Sequence, residues 1–352
     1  MNKDIILVSS EFTQSGVYRI ENLLIKEWEK RDCTISKITS RGLIIHDSFN
    51  SVEILPRQNE SNLLFLRLFR RMIRLRKLLA HHQDATVVAL NLPAGCFASI
   101  LSLFIKNKVV ISERNSPSHY PESRLYRKFR NICFTFADVC IFQTEEAKEY
   151  FSRNVQKKGV IIPNPVNDTI PVFNNIRREK KIVSTGRLRL QKNFPLLIKS
   201  FAKFCQYFDN YTLEIYGNGP LKDDLLELIN QLGLSEKIIL YDFCDDIFPI
   251  IAGASMFVMS SNYEGISNSM LEALAIGTPT ICTDCPVGGA RAMIENNVNG
   301  ILVPVGDVDA LADAMCRVAG DPAFAETLGS NGQKIREKYP IEKIAQQWID
   351  VM

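Results

Sequence analysis

The chain has 352 residues, of which 46% are hydrophobic and 23% charged, and its formal net charge is +3. This composition excludes a disordered or fibrous protein, and the length favours two domains over one. The small net charge gives no reason to expect nucleic acid as a partner.

Short β-branched runs alternate with helix-length amphipathic segments in the first half of the chain. The predicted strands are Asp4–Ser9, Thr86–Asn91, Lys108–Ser112, Asp138–Gln143 and Gly159–Ile162. The apolar run Ile5–Val8 is too short for a signal peptide. The longest apolar stretch, Cys96–Ile105, is shorter than the roughly 18 to 20 residues that a membrane span needs. We therefore expect a cytoplasmic protein, and nine scattered cysteines fit that compartment.

A strongly basic segment lies between the first two of these strands. Apolar residues alternate there with basic ones and no acidic residue intervenes; the basic residues are Arg67, Arg70, Arg71, Arg74, Arg76 and Lys77. This pattern predicts a basic amphipathic helix over Arg67–Lys77. Two interpretations stay open: a helix that lies on an anionic membrane surface, and an ordinary surface helix with a solvated basic face.

A second series of strands follows in the other half of the chain. Its members are Lys181–Thr185, Thr212–Tyr216, Lys237–Tyr241, Met256–Ser260 and Thr278–Cys282. The segment before them, Asn167–Lys181, has little periodicity and resembles an interdomain linker. We predict one domain at 1–166, a second at 167–336, and a C-terminal helix at 337–352 that can pack back on the first. Strands that alternate with helices indicate parallel sheets covered on both faces.

Loops that follow the strands of a parallel sheet are where ligands bind, and four in the second domain stand out. They are the loops after Lys181–Thr185 and Thr212–Tyr216, and the segments Glu264–Glu272 and Asp284–Arg291. Gly186 and Arg187 follow Lys181–Thr185, and Lys192 and Asn193 stand at the start of the next helix. Two permanent cations beside a helix N-terminus suit a diphosphate, although solvated loop residues give the same pattern. After Thr212–Tyr216, Gly217 opens a partial glycine fingerprint, a weak signal by itself.

The loop from Glu264 to Glu272 is the most specific pattern in the sequence. Its successive amides would stand at a helix N-terminus, ready for a phosphate oxygen; they belong to Gly265, Ile266, Ser267 and Asn268. Glu264 lies before the helix and Glu272 inside it, so both can point towards one ligand, and carboxylates accept hydrogen bonds from sugar hydroxyls. An ordinary N-cap region is the alternative. Cys282 and Cys285 lack the further ligands that a zinc site requires, so no metal site is predicted.

Taken in order, these motifs resemble the retaining glycosyltransferases of family 4. The motifs are Ile162-Pro163-Asn164-Pro165-Val166, Gly186-Arg187-Leu188 with Lys192-Asn193 after it, Tyr216-Gly217-Asn218-Gly219-Pro220, the pair Glu264 and Glu272, and Asn299–Pro304. The resemblance implies an α/β protein of GT-B fold, in which two doubly wound Rossmann-like domains face each other across a cleft. It implies a hexosyltransferase that takes a sugar from a nucleotide-sugar, a UDP-sugar, and needs neither a metal nor another cofactor.

The resemblance also assigns residues of the second domain. Arg187 and Lys192 would hold the donor diphosphate and stabilise the leaving group, and Glu264 would contact the transferred sugar; these three are the predicted catalytic residues. Glu272 would bind the ribose hydroxyls, and Cys244 belongs to the loop at the nucleobase. The remaining predicted donor contacts are Gly16, Gly186, Asn193, Gly217, Gly265, Ile266, Ser267 and Asn268.

In the first domain, the segment Ile111–Pro117 resembles a version found in bacterial capsule, O-antigen and exopolysaccharide transferases. Glu113, Arg114 and His119 are the predicted acceptor contacts. His119 lies later than the catalytic histidine of many relatives, so a catalytic role for it stays open. The implied acceptor is a glycan or a lipid-linked oligosaccharide. Such an acceptor would explain the Arg67–Lys77 helix if the protein is peripheral on the inner membrane face.

Three other functions remain as alternatives. A nicotinamide-dependent oxidoreductase would need a complete Gly-x-Gly-x-x-Gly and an acidic residue about twenty residues later, and neither is present. A UDP-sugar epimerase of the same fold would need its own general acid and base. A sugar-nucleotide binding module without catalysis would have no need of Arg187, Lys192 and Glu264 together.

Overall fold

The computed structural model describes residues 3–9, 16–39, 42–43, 73, 76–77, 79–173 and 177–352. The chain forms two compact units, one made of Met1–Pro163 with Ile341–Met352 and the other of Asn164–Pro340. Both boundaries predicted from the sequence therefore fall inside the second unit. The reason is a contact between its two ends, because the Val166 amide donates a hydrogen bond to the Tyr339 carbonyl at 2.8 Å.

A seven-stranded sheet is the centre of the first unit. Its strands are β1 (Asp4–Ser9), β2 (Thr34–Thr39), β3 (Gly42–Leu43), β4 (Thr86–Ala89), β5 (Val109–Glu113), β6 (Val139–Phe142) and β7 (Gly159–Ile161). The spatial order is β3-β2-β1-β4-β5-β6-β7, and every pair is parallel except β2 with β3. All residues of β4 and β5 are buried, as expected for a parallel sheet covered on both faces.

Five helices before Pro163 have both ends within the described residues, and the first four of them each follow a strand. They are α1 (Gly16–Glu29), α2 (Leu92–Ser102), α3 (Arg124–Phe134), α4 (Glu145–Glu149) and α5 (Arg153–Gln156). Polar side chains define three of the starts: Asn91, Ser123 and Thr144 each accept a hydrogen bond from an amide in the first turn of the helix that follows. Such N-caps satisfy amides that have no partner within the helix.

The second unit has a six-stranded, fully parallel sheet. Its strands are β8 (Glu179–Thr185), β9 (Thr212–Tyr216), β10 (Ile238–Tyr241), β11 (Ala254–Met259), β12 (Thr280–Thr283) and β13 (Ile301–Val303). The spatial order is β10-β9-β8-β11-β12-β13. From β8 the chain first builds outward on one side and then crosses to β11 on the other. The order therefore reverses between β8 and β11, the place where doubly wound sheets bind ligands.

The second unit buries apolar side chains on both faces of this sheet. Its helices are α6 (Phe194–Phe204), α7 (Lys222–Gln231), α8 (Phe248–Gly253), α9 (Asn268–Ile276), α10 (Val308–Gly320), α11 (Pro322–Gln333) and α12 (Ile335–Lys338). Ile182 belongs to the core cluster that includes α6 and α10, whereas its neighbour Val183 belongs to the cluster around α9. Successive strand residues point to opposite faces, so one helix layer covers each side.

The last helix, α13 (Ile341–Val351), belongs to the first unit. It packs on α1, where the rings of Trp28 and Trp348 meet edge to face with centroids 6.1 Å apart. The indole N–H of Trp28 also donates to the carbonyl of Ala345 at 3.2 Å. Both tryptophans are fully buried, so this contact closes the core of the first unit from the far end of the chain.

Each of the ten predicted strands corresponds to an observed strand whose ends differ by up to two residues. Three of the strands that the structure describes, β2, β3 and β13, were not predicted. The expected linker is not separate from the second unit, since Ile170 is buried in that unit's core and Glu179 already starts β8.

Most of the predicted basic helix Arg67–Lys77 lies outside the described residues. Its described members Ile73, Arg76 and Lys77 are helical and exposed. In the ranges that the structure describes, no helix combines the length and apolarity needed to cross a membrane.

Candidate functional site

Two loops meet at the reversal point of the second sheet. The loop after β8 runs from Gly186 to Asn193, and the loop after β11 runs from Ser260 to Ser267. The backbone ties them together, because the Asn262 amide donates to the Gln191 carbonyl at 2.8 Å. Most of the residues predicted to hold the donor are thus brought to one place by the strand order.

Glycines let neighbouring loops lie against these two. Gly217, at a φ of 154°, packs so closely on Gly186 that a Cβ atom there would collide with the Gly186 carbonyl oxygen. Gly289 has the same relation to the carbonyl oxygen of Gly265. Any larger residue at these positions would push two loops apart. The glycines therefore keep the loop after β9 close to the one after β8, and the loop after β12 close to the one after β11.

An ion pair joins the two loops at their centre. The Lys192 Nζ atom lies 2.7 Å from Oε2 of Glu264, and each side chain keeps 16% of its surface exposed. Nε2 of Gln191 donates to Oε1 of Glu264 at 3.1 Å, and the Ser261 hydroxyl lies 3.4 Å from Oε2. Both carboxylate oxygens are therefore held. An ammonium has three donors, so Lys192 can bind Glu264 and a phosphate oxygen at once.

Asn193 and Ser260 fix the backbone on which Lys192 stands. Asn193 caps α6 in a left-handed conformation with a φ of 47°, and its Nδ2 donates to Oδ1 of Asn262 at 2.8 Å. The Ser260 hydroxyl donates to the carbonyls of Lys192 and Asn193, at 2.9 and 3.1 Å. The predicted donor contact Asn193 is thus a structural part of the loop, and its side chain faces protein.

Asn164 anchors the other side of the loop, at the start of α9. Its Nδ2 donates to the Ile266 carbonyl and to Oδ1 of Asn268, both at 2.8 Å. Ser267 is the N-cap residue of α9, and its hydroxyl lies 3.0 Å from that of Ser269. The amides from Gly265 to Asn268 therefore stand at a fixed helix N-terminus, where partial positive charge favours an anion.

The other predicted donor residues differ in exposure. Arg187 is exposed and makes no ion pair with any residue that the structure describes, so its charge is available to a ligand. Glu272 lies inside α9 and is 6% exposed. Cys244 is half-buried in the loop after β10. Close to it, the rings of Tyr216 and Tyr241 stack with centroids 4.7 Å apart.

Cys282 and Cys285 are buried free thiols. Burial raises the pKa of Cys285 to about 12 and also raises the pKa of Cys282, so both are protonated at neutral pH. A thiolate, not a thiol, is the species that binds metals or attacks disulfides. In this state the two side chains behave as small buried hydrophobic residues.

In the first unit, Glu113 forms a buried ion pair that sequence reasoning missed. Its Oε2 lies 3.0 Å from Nη1 of Arg130, and the two side chains are at most 1% exposed. Arg130 also donates to the carbonyls of Pro117 and Tyr120, both at 2.8 Å. Burial raises the pKa of the Glu113 carboxyl, and the Arg130 guanidinium opposes that rise. These contacts support a role for Glu113 in holding the loop after β5, rather than direct contact with an acceptor.

Arg114 and His119 lie in the same loop but not in the same surroundings. Nη1 of Arg114 donates to the Ile162 carbonyl at 3.2 Å, its guanidinium lies 5.5 Å from the ring centre of Trp348, and burial lowers its pKa to about 9. His119 is exposed, with Nδ1 within 3.0 Å of the hydroxyls of Ser116 and Ser118. The predicted donor contact Gly16, which also belongs to the first unit, is the first residue of α1.

Two family models match consecutive parts of the chain. The model of glycosyltransferase family 4 matches residues 21–169, and the model of glycosyl transferases group 1 matches residues 166–335. Among solved structures, HepE of Anabaena in complex with UDP superposes with a TM-score of 0.79 at 17% identity, over 99% of this chain and 98% of that one. This likeness confirms the predicted fold class.

Curated relatives agree with the family models. An uncharacterized glycosyltransferase of Methanocaldococcus jannaschii is 28% identical over 77% of each chain. The N-acetylgalactosamine-N,N'-diacetylbacillosaminyl-diphospho-undecaprenol 4-alpha-N-acetylgalactosaminyltransferase of Campylobacter jejuni is 29% identical over 74% of each chain. These matches confirm the predicted enzyme class, a hexosyltransferase. Together the two family models cover residues 21–335, and the chain is a glycosyltransferase similar to the GT-B enzymes of family 4.

Proposed function

We propose that the protein is a retaining, metal-independent glycosyltransferase that takes its sugar from a UDP-sugar. The observation that carries this proposal is the Lys192–Glu264 ion pair at the N-terminus of α9, beside the exposed Arg187. Two cations and a row of helix amides suit a diphosphate. The complex of HepE with UDP supports UDP as the nucleotide.

In this proposal the second unit stabilises the leaving group. When the bond between the sugar and the phosphate breaks, negative charge develops on the diphosphate. Arg187, Lys192 and the amides from Gly265 to Asn268 would lie where that charge appears, and fixed charges of this kind are commonly the largest catalytic contribution. Glu264 would contact the transferred sugar, and Glu272 the ribose hydroxyls. The acceptor hydroxyl would attack from the face of the departing diphosphate, which would take its proton.

We propose a glycan or a lipid-linked oligosaccharide as the acceptor. The name of the Campylobacter relative includes a diphospho-undecaprenol substrate, which supports an acceptor of this chemistry. Arg114 and His119 are the proposed acceptor contacts in the first unit, with Glu113 holding their loop. Peripheral association with the inner membrane face, through the predicted Arg67–Lys77 helix, belongs to the same proposal.

A thermal-stability series tests the donor site. The purified protein is melted with UDP, GDP, ADP or NAD, with and without magnesium. At about 100 times its dissociation constant a ligand adds roughly 2.7 kcal/mol to stability. We expect stabilisation by UDP that does not need magnesium and that Lys192→Ala abolishes.

The matched control for that series is Lys199→Ala. It removes an exposed lysine from α6, the helix that follows Lys192. It should keep the full response to UDP. A response to NAD alone would support the oxidoreductase alternative instead. Stabilisation by UDP only in the presence of magnesium would contradict the metal-independent reaction.

A further inference from the structure

The helix α3 exposes a row of large apolar side chains, unlike an ordinary surface helix. Leu125 is 78% exposed and Ile132 is 57% exposed, and Phe129 and Phe136 are exposed as well. Leu125, Phe129 and Ile132 follow the i, i+4, i+7 spacing of one helix face, and Phe136 lies just after the helix. The opposite face carries Arg130, Cys133 and Phe134, which are buried in the unit.

The end of α2 extends this apolar face. Leu103 and Phe104 follow α2 and are 56% and 51% exposed. The helices α2 and α3 pack together, and the Ser102 hydroxyl donates to the Phe136 carbonyl at 3.0 Å. The exposed side chains therefore form one surface, which we call the α3 surface; its apolar members are Leu103, Phe104, Leu125, Phe129, Ile132 and Phe136.

Basic residues surround the α3 surface. Arg124 and Lys128 are exposed on α3, which contains no acidic residue, and Lys106 and Lys108 are exposed after α2. The ammonium of Lys158 lies at the C-terminal end of α3, where it donates to the Thr135 carbonyl at 2.7 Å. The acidic residues Glu122 and Asp138 are exposed at the margins of the α3 surface.

We propose that the α3 surface docks on an anionic lipid membrane. A patch of large aliphatic and aromatic side chains marks an interaction site. Here the apolar side chains would enter the boundary between head groups and acyl chains, and the lysines and arginines would meet lipid phosphates. Charge complementarity favours lipid phosphates over a second copy of this chain, whose matching surface would carry the same positive charge. The proposal does not depend on the transfer reaction, since vesicle binding needs neither donor nor acceptor.

Vesicle co-sedimentation of the full chain tests the α3 surface. The vesicles contain phosphatidylethanolamine and phosphatidylglycerol, or phosphatidylcholine alone. We expect the wild type to bind the anionic vesicles. The variant Leu125→Ser/Phe129→Ser/Ile132→Ser should bind them at least about tenfold more weakly, because it removes three apolar side chains from the lipid. The variant Arg124→Gln/Lys128→Gln should lose about fivefold per charge and depend less on salt.

The control variant removes three exposed apolar side chains from the second unit instead. It is Tyr207→Ser/Leu226→Ser/Leu232→Ser, and its binding should equal that of the wild type. Melting curves and sedimentation velocity accompany each variant. Because the altered α3 side chains are exposed, the melting temperature should stay within a few degrees of the wild-type value.

Three results would overturn the proposal. The first is wild-type binding by the triple α3 variant. The second is loss of binding only when Arg70, Arg71 and Arg74 are changed to Gln, which would assign docking to the predicted basic helix alone. The third is a wild-type chain that ignores vesicles but self-associates, together with a triple variant that is monomeric. That outcome would make the α3 surface an interface between copies.

Discussion

Lys192 and Glu264 hold each other at the ends of neighbouring strands. The ion pair fixes a flexible lysine in one position and lowers the net positive charge that a phosphate would meet. A carboxylate so close to a phosphate site costs binding energy unless it serves a second purpose. Positioning the ammonium and contacting the sugar are two such purposes, and they make Glu264 the most informative single residue to change.

We expect Glu264→Gln to separate binding from turnover. Gln can keep a hydrogen bond to Lys192 but has no charge, so UDP should bind as well as before or more tightly. Turnover of a UDP-sugar should fall by about 100-fold, because small misplacements in an active site have effects of that size. Calorimetry with UDP and steady-state release of UDP measure the two quantities.

Ser261→Ala is the control for Glu264→Gln. It removes only the long hydroxyl contact at 3.4 Å and should change both quantities little. If Glu264→Gln kept wild-type turnover, the carboxylate would have no part in the reaction.

At the scale of single residues, sequence patterns could identify side chains in locally ordered loops but not their partners. Arg187 and Lys192 are recognisable because a strand end, a glycine and a helix start stand close together in the sequence. Asn164 was visible only as part of a motif, because its contacts to Ile266 and Asn268 lie 102 and 104 residues away. Arg130 gave no signal, since nothing local distinguishes a buried arginine from a solvated one on a basic helix.

At the scale of elements, the Glu113–Arg130 ion pair connects β5 to α3. The same guanidinium holds two carbonyls of the intervening loop, so one side chain orders a strand end, a loop and a helix. The same contacts also fix α3, whose outer face forms part of the α3 surface, against β5.

Arg130→Met should destabilise the protein by about 3 to 5 kcal/mol at neutral pH, because it leaves a buried carboxylate without its counter-charge. The loss should shrink as the pH falls. Burial already raises the pKa of Glu113, and removal of the guanidinium raises it further. A carboxyl with a raised pKa favours the folded state at low pH and loses that contribution as the pH rises through the folded-state pKa. Urea unfolding at about pH 5 and about pH 8 measures this difference.

Two variants accompany Arg130→Met. The double variant Arg130→Met/Glu113→Gln should recover most of the stability, because no buried charge remains. Arg127→Met removes a neighbouring arginine that donates to the carbonyls of Pro121 and Glu122 and, within the described ranges, pairs with no carboxylate. Its effect should be smaller and independent of pH. Equal losses at both pH values for Arg130→Met would contradict this account.

The strands themselves could be predicted well, because a buried parallel strand is a continuous apolar run between turn residues. β2 was missed for a physical reason. Its Lys37 breaks the apolar pattern and yet is buried, since its ammonium lies 3.1 Å from Oε2 of Glu21 on α1. β13 has three residues, too few to show any periodicity.

At the scale of the whole molecule, each unit has its own core, and the first unit is completed by α13. The chain contains two tryptophans, Trp28 and Trp348, and both lie in this contact. Tryptophan fluorescence therefore reports on the first unit alone. The predicted boundaries, after residues 166 and 336, lie a few residues inside the second unit, because the contact of Val166 with Tyr339 joins residues that are far apart in the chain.

We expect Trp348→Ala to destabilise the first unit by about 3 to 5 kcal/mol, since a fully buried aromatic side chain is lost. The fluorescence of Trp28 should then change at a lower urea concentration. The response to UDP should persist, because the second unit keeps its core. Trp348→Phe, which keeps a ring, should lie between the variant and the wild type. An unchanged midpoint for Trp348→Ala would show that α13 contributes little to the first unit.

The return of the chain to the first unit also has a consequence for synthesis on the ribosome. Translation runs from the N-terminus, so Trp28 is made before the second unit and its partner Trp348 after it. Asn164–Pro340 can fold as soon as it emerges, whereas the earlier unit keeps an open apolar face until α13 is released. A stop codon shortly before Ile341 would therefore leave a complete second unit attached to a first unit that cannot close.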